Sequence, residues 1–528
     1  MLNKTCIGIN KKKLIDFLPM SPGHSVPSSI FTEDLGFALM GRMSDLRPIP
    51  SFYLTEKEKI HDLEYLFDIN WKTDPEYVYA ITYFIANEMG MRLSPTLSIA
   101  RIIYNEDGNS NSYQFIEKLI KKTFNRPDFF ANLVLYYKAM TKKYIYFWKT
   151  GWASQLFPEW AVKILRNHFE DLEEHTLKSQ KLNNKMLKTK HLIIGFRPKP
   201  KNDKMSKLYK AIIEGTKESK LQIEIDNKTG KIKADHIRSV LSSDLKNHQK
   251  REYISNNINN IPINALIRNL KQIDPKDSNK LFLRLDNAFT NAYTRFINPF
   301  DLLHIKYKYD TLTTTDIDPE IKSVCSRILQ KHFLFEFDSG LNTLYMIDVS
   351  GSVYQDPSSF QTQIKYLTCL KENLKSEGSR IYGFSNKDYD LDIFKEFAKL
   401  DPYSFAFEIS NYLIKHKHFL IGNTNFSDSV KICLRNNPNI NSLIVITDEG
   451  FNAGSNNLIN SNFMYKHGIN NRSVIININK LPKGKTPFEQ KQSFIKIYGH
   501  DGKNLARISA MFNFENFKNK IKNQFFIN

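Results

Sequence analysis

Five consecutive residues, Asp348-Val349-Ser350-Gly351-Ser352, follow the apolar run Leu344-Tyr345-Met346-Ile347. They set a carboxylate and two hydroxyls at alternate positions where a buried strand would end. Oxygen donors of this hardness suit Mg²⁺, or Mn²⁺, rather than Zn²⁺, and Gly351 permits a tight turn. A later apolar run, Leu443-Ile444-Val445-Ile446, ends in Thr447-Asp448-Glu449-Gly450 and brings Asp448 to the same edge. Between them, Gly422-Asn423-Thr424 supplies a hydroxyl on a glycine-containing loop. The candidate metal ligands are therefore Asp348, Ser350, Ser352, Thr424 and Asp448. No arrangement of Ser, His and Asp suggests a nucleophile, and His416 and His418 flank a lysine near a helix end as surface histidines. With no acid–base constellation beyond the metal ligands, the chain reads as a binding protein and not as an enzyme.

Charge supplies the second chemistry. The chain carries 75 basic and 55 acidic residues, a formal net charge of +20, so polyanions are candidate partners. From Leu341 to the end there are 23 basic and 16 acidic residues, and before it 52 and 39, so the total does not localise a site. One window does: Lys181 to Lys220 holds twelve Lys/Arg against three Asp/Glu. Lys181, Lys185 and Lys188 would share one face if the segment were helical, and Lys190, Arg197, Lys199 and Lys201 follow. Such a face would track phosphates without regard to sequence and would be salt-sensitive; a plain solvated face is the alternative. A smaller cluster, Lys118, Lys121, Lys122 and Arg126, sits where a helix C-terminus favours cations anyway. Lys138, Lys142, Lys143 and Lys149 surround Tyr136, Tyr137, Tyr144, Tyr146 and Trp148. Basic and aromatic faces can stack unpaired bases, although aromatics at helical spacing are more often core. Lys142 and Arg268 complete the basic candidates; Arg268 could equally cap the next turn of its helix.

These residues need elements to hold them. A length of 528 residues suggests two to four domains, and 41% hydrophobic, 25% charged and 13% aromatic residues make a globular composition. The four cysteines form no CxxC pair, which leaves structural zinc and thioredoxin-like chemistry unsupported and points to a reducing, cytoplasmic setting. No apolar run is long enough for a membrane helix, and no secretory signal is apparent. The proline-punctuated residues 1–47 read as an arm. From about 50 to 335, apolar residues recur at three- and four-residue spacing in segments near 55–68, 75–89, 94–104, 112–123, 128–147, 151–171, 205–218, 261–272 and 280–295. Many helices of similar length with short connections suggest a HEAT-like α-solenoid over 48–338. Beyond 338, short apolar runs near 344–347, 381–384, 443–446, 474–478 and 495–498 alternate with amphipathic stretches. That alternation predicts a doubly wound α/β domain over 339–528, with ligands at the carboxyl ends of its strands. The overall class is mostly α plus α/β. An abundance of Asn, Ile and Lys points to an A/T-rich coding genome.

The Asp-x-Ser-x-Ser strand end, the loop threonine and the second strand-end aspartate resemble the metal-ion-dependent adhesion site of a von Willebrand factor A domain. The helical half resembles the TROVE module of the Ro ribonucleoprotein family in four places. Gly151-Trp152-Ala153-Ser154-Gln155-Leu156 resembles a Gly-Trp helix start, and Lys190 to Pro200 a segment ending in Ser-His-x-Lys-Pro. Ile261 to Leu270 resembles the family's PL-x-ALLRNL helix, and Ile297-Asn298-Pro299-Phe300-Asp301-Leu302-Leu303 its HPF-x-LL segment. The four occur in family order and are followed by the von Willebrand A-like part, so the resemblance covers roughly residues 50 to 528.

The resemblance implies a ring of HEAT-like repeats closed by the von Willebrand A domain. It implies a non-enzymatic protein of RNA quality control or small-RNA scaffolding, binding structured or misfolded non-coding RNA with single-stranded ends. The family's outer-surface histidine falls on Arg197 and its preceding serine on Phe196, while Lys199 and Pro200 match. Arginine keeps the positive charge and adds a bidentate phosphate fork, which favours general RNA contact over the family's recognition of a Y RNA. Gln180 and Asn184 stand where the family has basic residues, with Lys181 and Lys185 beside them. The expected partners are RNA and, at the metal site, an acidic protein side chain, with no membrane and a monomeric chain. The alternative reading is a protein-interaction module in which the metal site captures the partner and the helical part is scaffold.

Overall fold

The computed structural model describes residues 67–87, 93–179, 187–225, 232–234, 245–290, 298–333, 341–416, 426–448, 473–478, 495–498 and 514–526, apart from breaks of one or two residues, together with 240, 469 and 505. The proline-rich arm, Lys181, Lys185, Thr424 and most of the helix expected at 55–68 lie outside them.

The helical part begins with Pro75–Asn87, Leu93–Asn105, Ser110–Thr123 and Pro127–Thr141. Each packs on near neighbours in sequence, as a solenoid does. Asp74 caps the first of these helices, accepting from the Tyr77 N–H at 3.0 Å. Two segments read as single helices are broken. The stretch 128–147 stops at Thr141, where Lys142 turns into the left-handed region with φ 53°. The following residues are not helical: Ile145 and Phe147 are buried while Tyr144 and Trp148 point to solvent. That is a period of two, which a run of unbroken hydrophobic residues hides. The stretch 151–171 divides into Ala153–Leu156 and Glu159–Glu170. Pro158 forces Phe157 into extended backbone and separates them. Later come Thr189–Phe196, Asp203–Glu214, Asn247–Asn257, Ile263–Arg268, Ser278–Thr290 and Pro319–His332, with two small antiparallel hairpins. The hairpins are β1 (Ile223–Ile225) with β2 (Ile232–Ala234) and β3 (Ile305–Lys308) with β4 (Thr311–Thr314).

The remaining strands are β5 (Thr343–Asp348), β6 (Arg380–Phe384), β7 (Asp388–Asp390), β8 (Ser442–Thr447), β9 (Ser473–Asn477) and β10 (Ile495–Tyr498). They form one sheet in the order β10-β9-β8-β5-β6-β7, parallel except for the antiparallel edge strand β7. The five expected strands are present, and β7 is an addition too short and polar to announce itself. All residues of β5 and β8 are buried, as in a sheet covered on both faces. Leu344, Met346, Leu443 and Val445 face the helix Phe426–Asn436. Tyr345, Ile347, Ile444 and Ile446 belong to the opposite core, which is continuous with the helical part.

Residues after 341 touch both ends of the helical series. At one end, Pro319–His332 packs on Pro402–Lys415, and the β3–β4 hairpin packs on Pro357–Cys369. There the Tyr403 hydroxyl donates to the Leu302 carbonyl at 2.6 Å, Lys365 Nζ donates to the Phe300 carbonyl at 3.1 Å, and Phe300 meets Tyr366 edge-on. The Asn298–Leu303 segment is thus the strap that docks one part on the other. At the other end, the C-terminal helix Phe514–Phe526 packs on Pro75–Asn87. Phe525, fully buried, lies 5.4 Å from Tyr83, and Phe517 meets Phe84 at 4.9 Å. Lys518 and Lys522 both reach Asp74 at 3.0 Å, and Lys522 also reaches Glu76 at 3.1 Å. Burial pushes the Asp74 carboxyl up, but the two ammonium groups outweigh it and hold it below its ordinary value.

A carboxyl held low stabilises the fold at pH values above its ordinary pKa, and that contribution is lost as pH falls through the lowered value. Asp74→Ala removes the helix cap and leaves two lysines facing one another, at a cost of about 1–2 kcal/mol at pH 7. Guanidinium unfolding of the variant should show its first transition at lower denaturant. An unchanged midpoint would mean that the terminal helix is not a structural closure.

Candidate functional site

The sequence reverses its direction of travel across the sheet at β5: the chain passes to β6 on one side and returns to β8 on the other. Ligands of open α/β sheets bind outside the carboxyl end of such a strand, and β5 ends at Asp348. Its carboxylate is fully buried and accepts twice. The Ser350 N–H donates to Oδ1 at 3.0 Å, and the Thr447 hydroxyl, at the end of β8, donates to Oδ2 at 2.6 Å. Gln363 Nε2 donates to the Asp348 main-chain carbonyl at 2.8 Å and fixes the strand end from the helix Pro357–Cys369. Ser350 and Ser352 place their hydroxyl oxygens 3.0 Å apart. Ser350 is buried and Ser352 exposed, so the oxygen cluster runs from the sheet interior to solvent. Asp448 is 5% exposed at the neighbouring strand end.

Burial raises the Asp348 pKa well above the carboxylate range, and the negative charge of Asp448 raises it further. The hydroxyl and N–H donors only partly offset this. Two carboxylates crowded in a dry edge with hydroxyls beside them are a donor set that a hard divalent cation fits, because its charge removes the repulsion and replaces the missing solvent. Four of the five expected ligands, Asp348, Ser350, Ser352 and Asp448, are brought together at this edge; Thr424 is outside the described residues. Sequence reasoning missed Thr447 and Gln363. Thr447 was visible as a polar residue ending a buried strand, whereas Gln363 carried no signal.

The basic candidates lie elsewhere. Lys188 stands at the extended start of Thr189–Phe196, so it does not continue a helix from Lys181 and Lys185. Arg197 ends that helix in the left-handed region, φ 52°, with its N–H donating to Ile193 at 2.9 Å. Lys188, Arg197, Lys199 and Lys201 are exposed and Lys190 half-buried. Lys201 pairs with Asp171 at 2.6 Å, and the Lys199 N–H donates to the Glu170 carboxylate at 2.7 Å. The Gly-Trp pair explains how this turn is held. Gly151 has φ 72° and donates its N–H to Ile194 at 3.0 Å. Trp152 is fully buried, with its indole N–H on the His191 carbonyl at 3.0 Å. The indole fills the space that a side chain on Gly195 would need, since a Cβ there would fall 2.1 Å from the ring. Lys142 is exposed at the end of its helix, and Arg268 is exposed in the last turn of Ile263–Arg268. Lys118 is occupied elsewhere: it donates to the Phe525 carbonyl and sits over the Phe525 ring, in the chain closure.

No family model matches the chain, and no curated protein matches it. Among solved structures, the chain is similar to the crystal structure of the Deinococcus radiodurans RO (RSR) protein. The identity is 12% and the TM-score 0.49, over 84% of this chain and 93% of that one. No helix among the described residues is long and apolar enough to cross a membrane.

The raised carboxyl makes a testable cost. As pH rises above the ordinary aspartate range, the unfolded chain releases this proton while the folded protein retains it, so folding stability falls. Asp348→Asn abolishes the penalty and should raise stability in EDTA by on the order of 1–2 kcal/mol at pH 8, with little effect near pH 4. Thermal unfolding at the two pH values checks this; a variant less stable than wild type at pH 8 would contradict it.

Proposed function

We propose that this protein is an RNA-binding protein of Ro type, which engages RNA carrying both a duplex and a single-stranded end. The observation that carries the reading is the exposed basic stretch from Lys188 to Lys201, with Arg197 displayed at a left-handed helix end braced by Gly151 and Trp152. An exposed guanidinium held on rigid backbone suits phosphate, because its planar fork loses little freedom on binding. Supporting this, the segments that resemble the family have structural work in the fold. The Gly-Trp pair braces the Arg197 turn, and Asn298–Leu303 straps the helical part to the sheet.

Arg197→Glu with Lys199→Glu should weaken binding of a hairpin RNA at least tenfold and should flatten the dependence of log K on log salt. Each lost phosphate contact to single-stranded RNA lowers the slope by roughly 0.7. Unchanged affinity would remove this surface from the assignment.

At the sheet edge, Asp348, Ser350, Ser352 and Asp448 would hold a divalent cation, Mg²⁺ in the first instance, with Mn²⁺ as a substitute. The exposure of Ser352 favours a second role there, completion of the metal's shell by a partner's acidic side chain. In that reading Asp348→Ala abolishes partner capture and leaves RNA affinity intact. Millimolar Mg²⁺ should raise the wild-type unfolding temperature by a few degrees at pH 8, as a ligand of the folded state does. The gain should shrink at pH 5.5, where Asp348 holds its proton, and vanish in Asp348→Asn. An equal gain in that variant would place the metal elsewhere.

A further inference from the structure

Between Lys142 and Lys149 the chain leaves its helix and ends in a turn, the Lys149 N–H donating to the Tyr146 carbonyl at 3.1 Å, with alternate side chains from Tyr144 to Trp148 divided between solvent and core. Ile145 and Phe147 are buried. Tyr144 and Trp148 are 78% and 69% exposed, and Tyr146 stands between them. The three rings form a continuous ladder: Tyr144 meets Tyr146 at 4.8 Å, and Tyr146 meets Trp148 at 4.8 Å. So much exposed aromatic surface in consecutive contact marks an interaction site.

The setting selects the occupant. From Phe129 to Pro158 there is no acidic residue, and Lys138, Lys142, Lys143 and Lys149 surround the rings. Lys138 Nζ lies 4.8 Å from the Phe147 ring centre, and Lys143 Nζ donates to the Leu156 carbonyl at 3.0 Å, so these two hold the segment in place. Lys149 lies 5.1 Å over Tyr146, and Lys142 is exposed. The ladder also runs into the surface already assigned to RNA. Gly151, two residues past Lys149, lies so close to Arg197 that a Cβ on it would meet the Arg197 Cδ at 3.8 Å. Flat apolar faces beside the exposed ammonium groups of Lys142 and Lys149 match an unpaired nucleotide strand, whose bases stack while its phosphates meet the cations. An apolar protein surface would not call for the lysines, and duplex RNA would offer the rings no free base.

We propose that Tyr144, Tyr146 and Trp148 form a stacking platform for the single-stranded segment of a bound RNA, next to the Arg197 phosphate surface. The inference rests on the RNA-binding reading and adds the site at which unpaired bases are held. The test titrates the full chain with three probes: a twelve-residue oligouridylate, a blunt hairpin, and the same hairpin with a single-stranded tail. Oligouridylate should quench the intrinsic fluorescence of wild type, and Trp148→Phe should lose most of that quench, because Trp148 is the exposed indole. Tyr144→Ala with Trp148→Ala alters solvent-facing residues and leaves the core intact. It should weaken the tailed hairpin about tenfold or more and leave the blunt hairpin within twofold. Equal loss on both hairpins, or full affinity for the tailed one, overturns the platform while leaving RNA binding in place. Failure of wild type to bind any probe overturns the RNA reading and the platform together. A wild-type dimer that the double variant converts to monomer in sedimentation would assign the patch to contact between copies and overturn the proposal.

Discussion

The packing of the C-terminal helix on the first described helix of the chain is the constraint on which the other arrangements depend. Phe525 and Phe517 enter the aromatic cluster of Tyr79, Tyr83 and Phe84, and Asp74 gathers two lysines from the far end of the sequence. The Asn298–Leu303 strap makes the complementary contact at the other end of the helical series. A stack of helices with two free ends would leave apolar faces bare at both, since each repeat buries its core only against a neighbour. Here the C-terminal helix covers one end and the Asn298–Leu303 strap docks the other on the sheet-bearing part, and the principal core includes residues of both parts.

Different physical devices hold the two sites. At the sheet edge, a strand buried on both faces delivers Asp348 into a dry environment beside Asp448, and the donors from Ser350 and Thr447 are too few to satisfy the charge. The result is a raised Asp348 pKa, at some cost to the folded protein above the ordinary aspartate range. On the helical part the charges are already solvated, and rigidity is what the fold contributes. Trp152 wedged under Gly195 sets the helix end from which Arg197 projects. Low dielectric sets the chemistry of the first, and rigid backbone sets the geometry of the second.

The sheet was legible because its strands are short apolar runs between amphipathic stretches, and because the polar residues ending β5 and β8 are of one chemical kind. The edge strand β7 was not, being three residues of which two are aspartate. Helices with clear three- and four-residue spacing, such as 75–87 and 203–214, were also legible. The non-helical segment at 142–149 was not, because Tyr144 to Trp148 are all apolar or aromatic and periodicity cannot distinguish a buried ring from an exposed one. The same blindness hid the aromatic ladder, which depends on where each ring points. The basic window was found by counting, but only the structure separates Lys201, paired with Asp171, from Arg197, which has left-handed backbone and open solvent. Gln363, reaching the Asp348 carbonyl from another element, had no local signature at all.

In the proposed reading this basic chain recognises RNA with an unpaired end. A gel-shift titration of the wild-type protein across a salt series tests it most directly, using the tailed and blunt hairpins and the tailed sequence as DNA. The account predicts tighter binding to the tailed RNA than to either control, with an affinity that falls as salt rises. Binding that ignores both tail and sugar, or no binding at low salt, would contradict it.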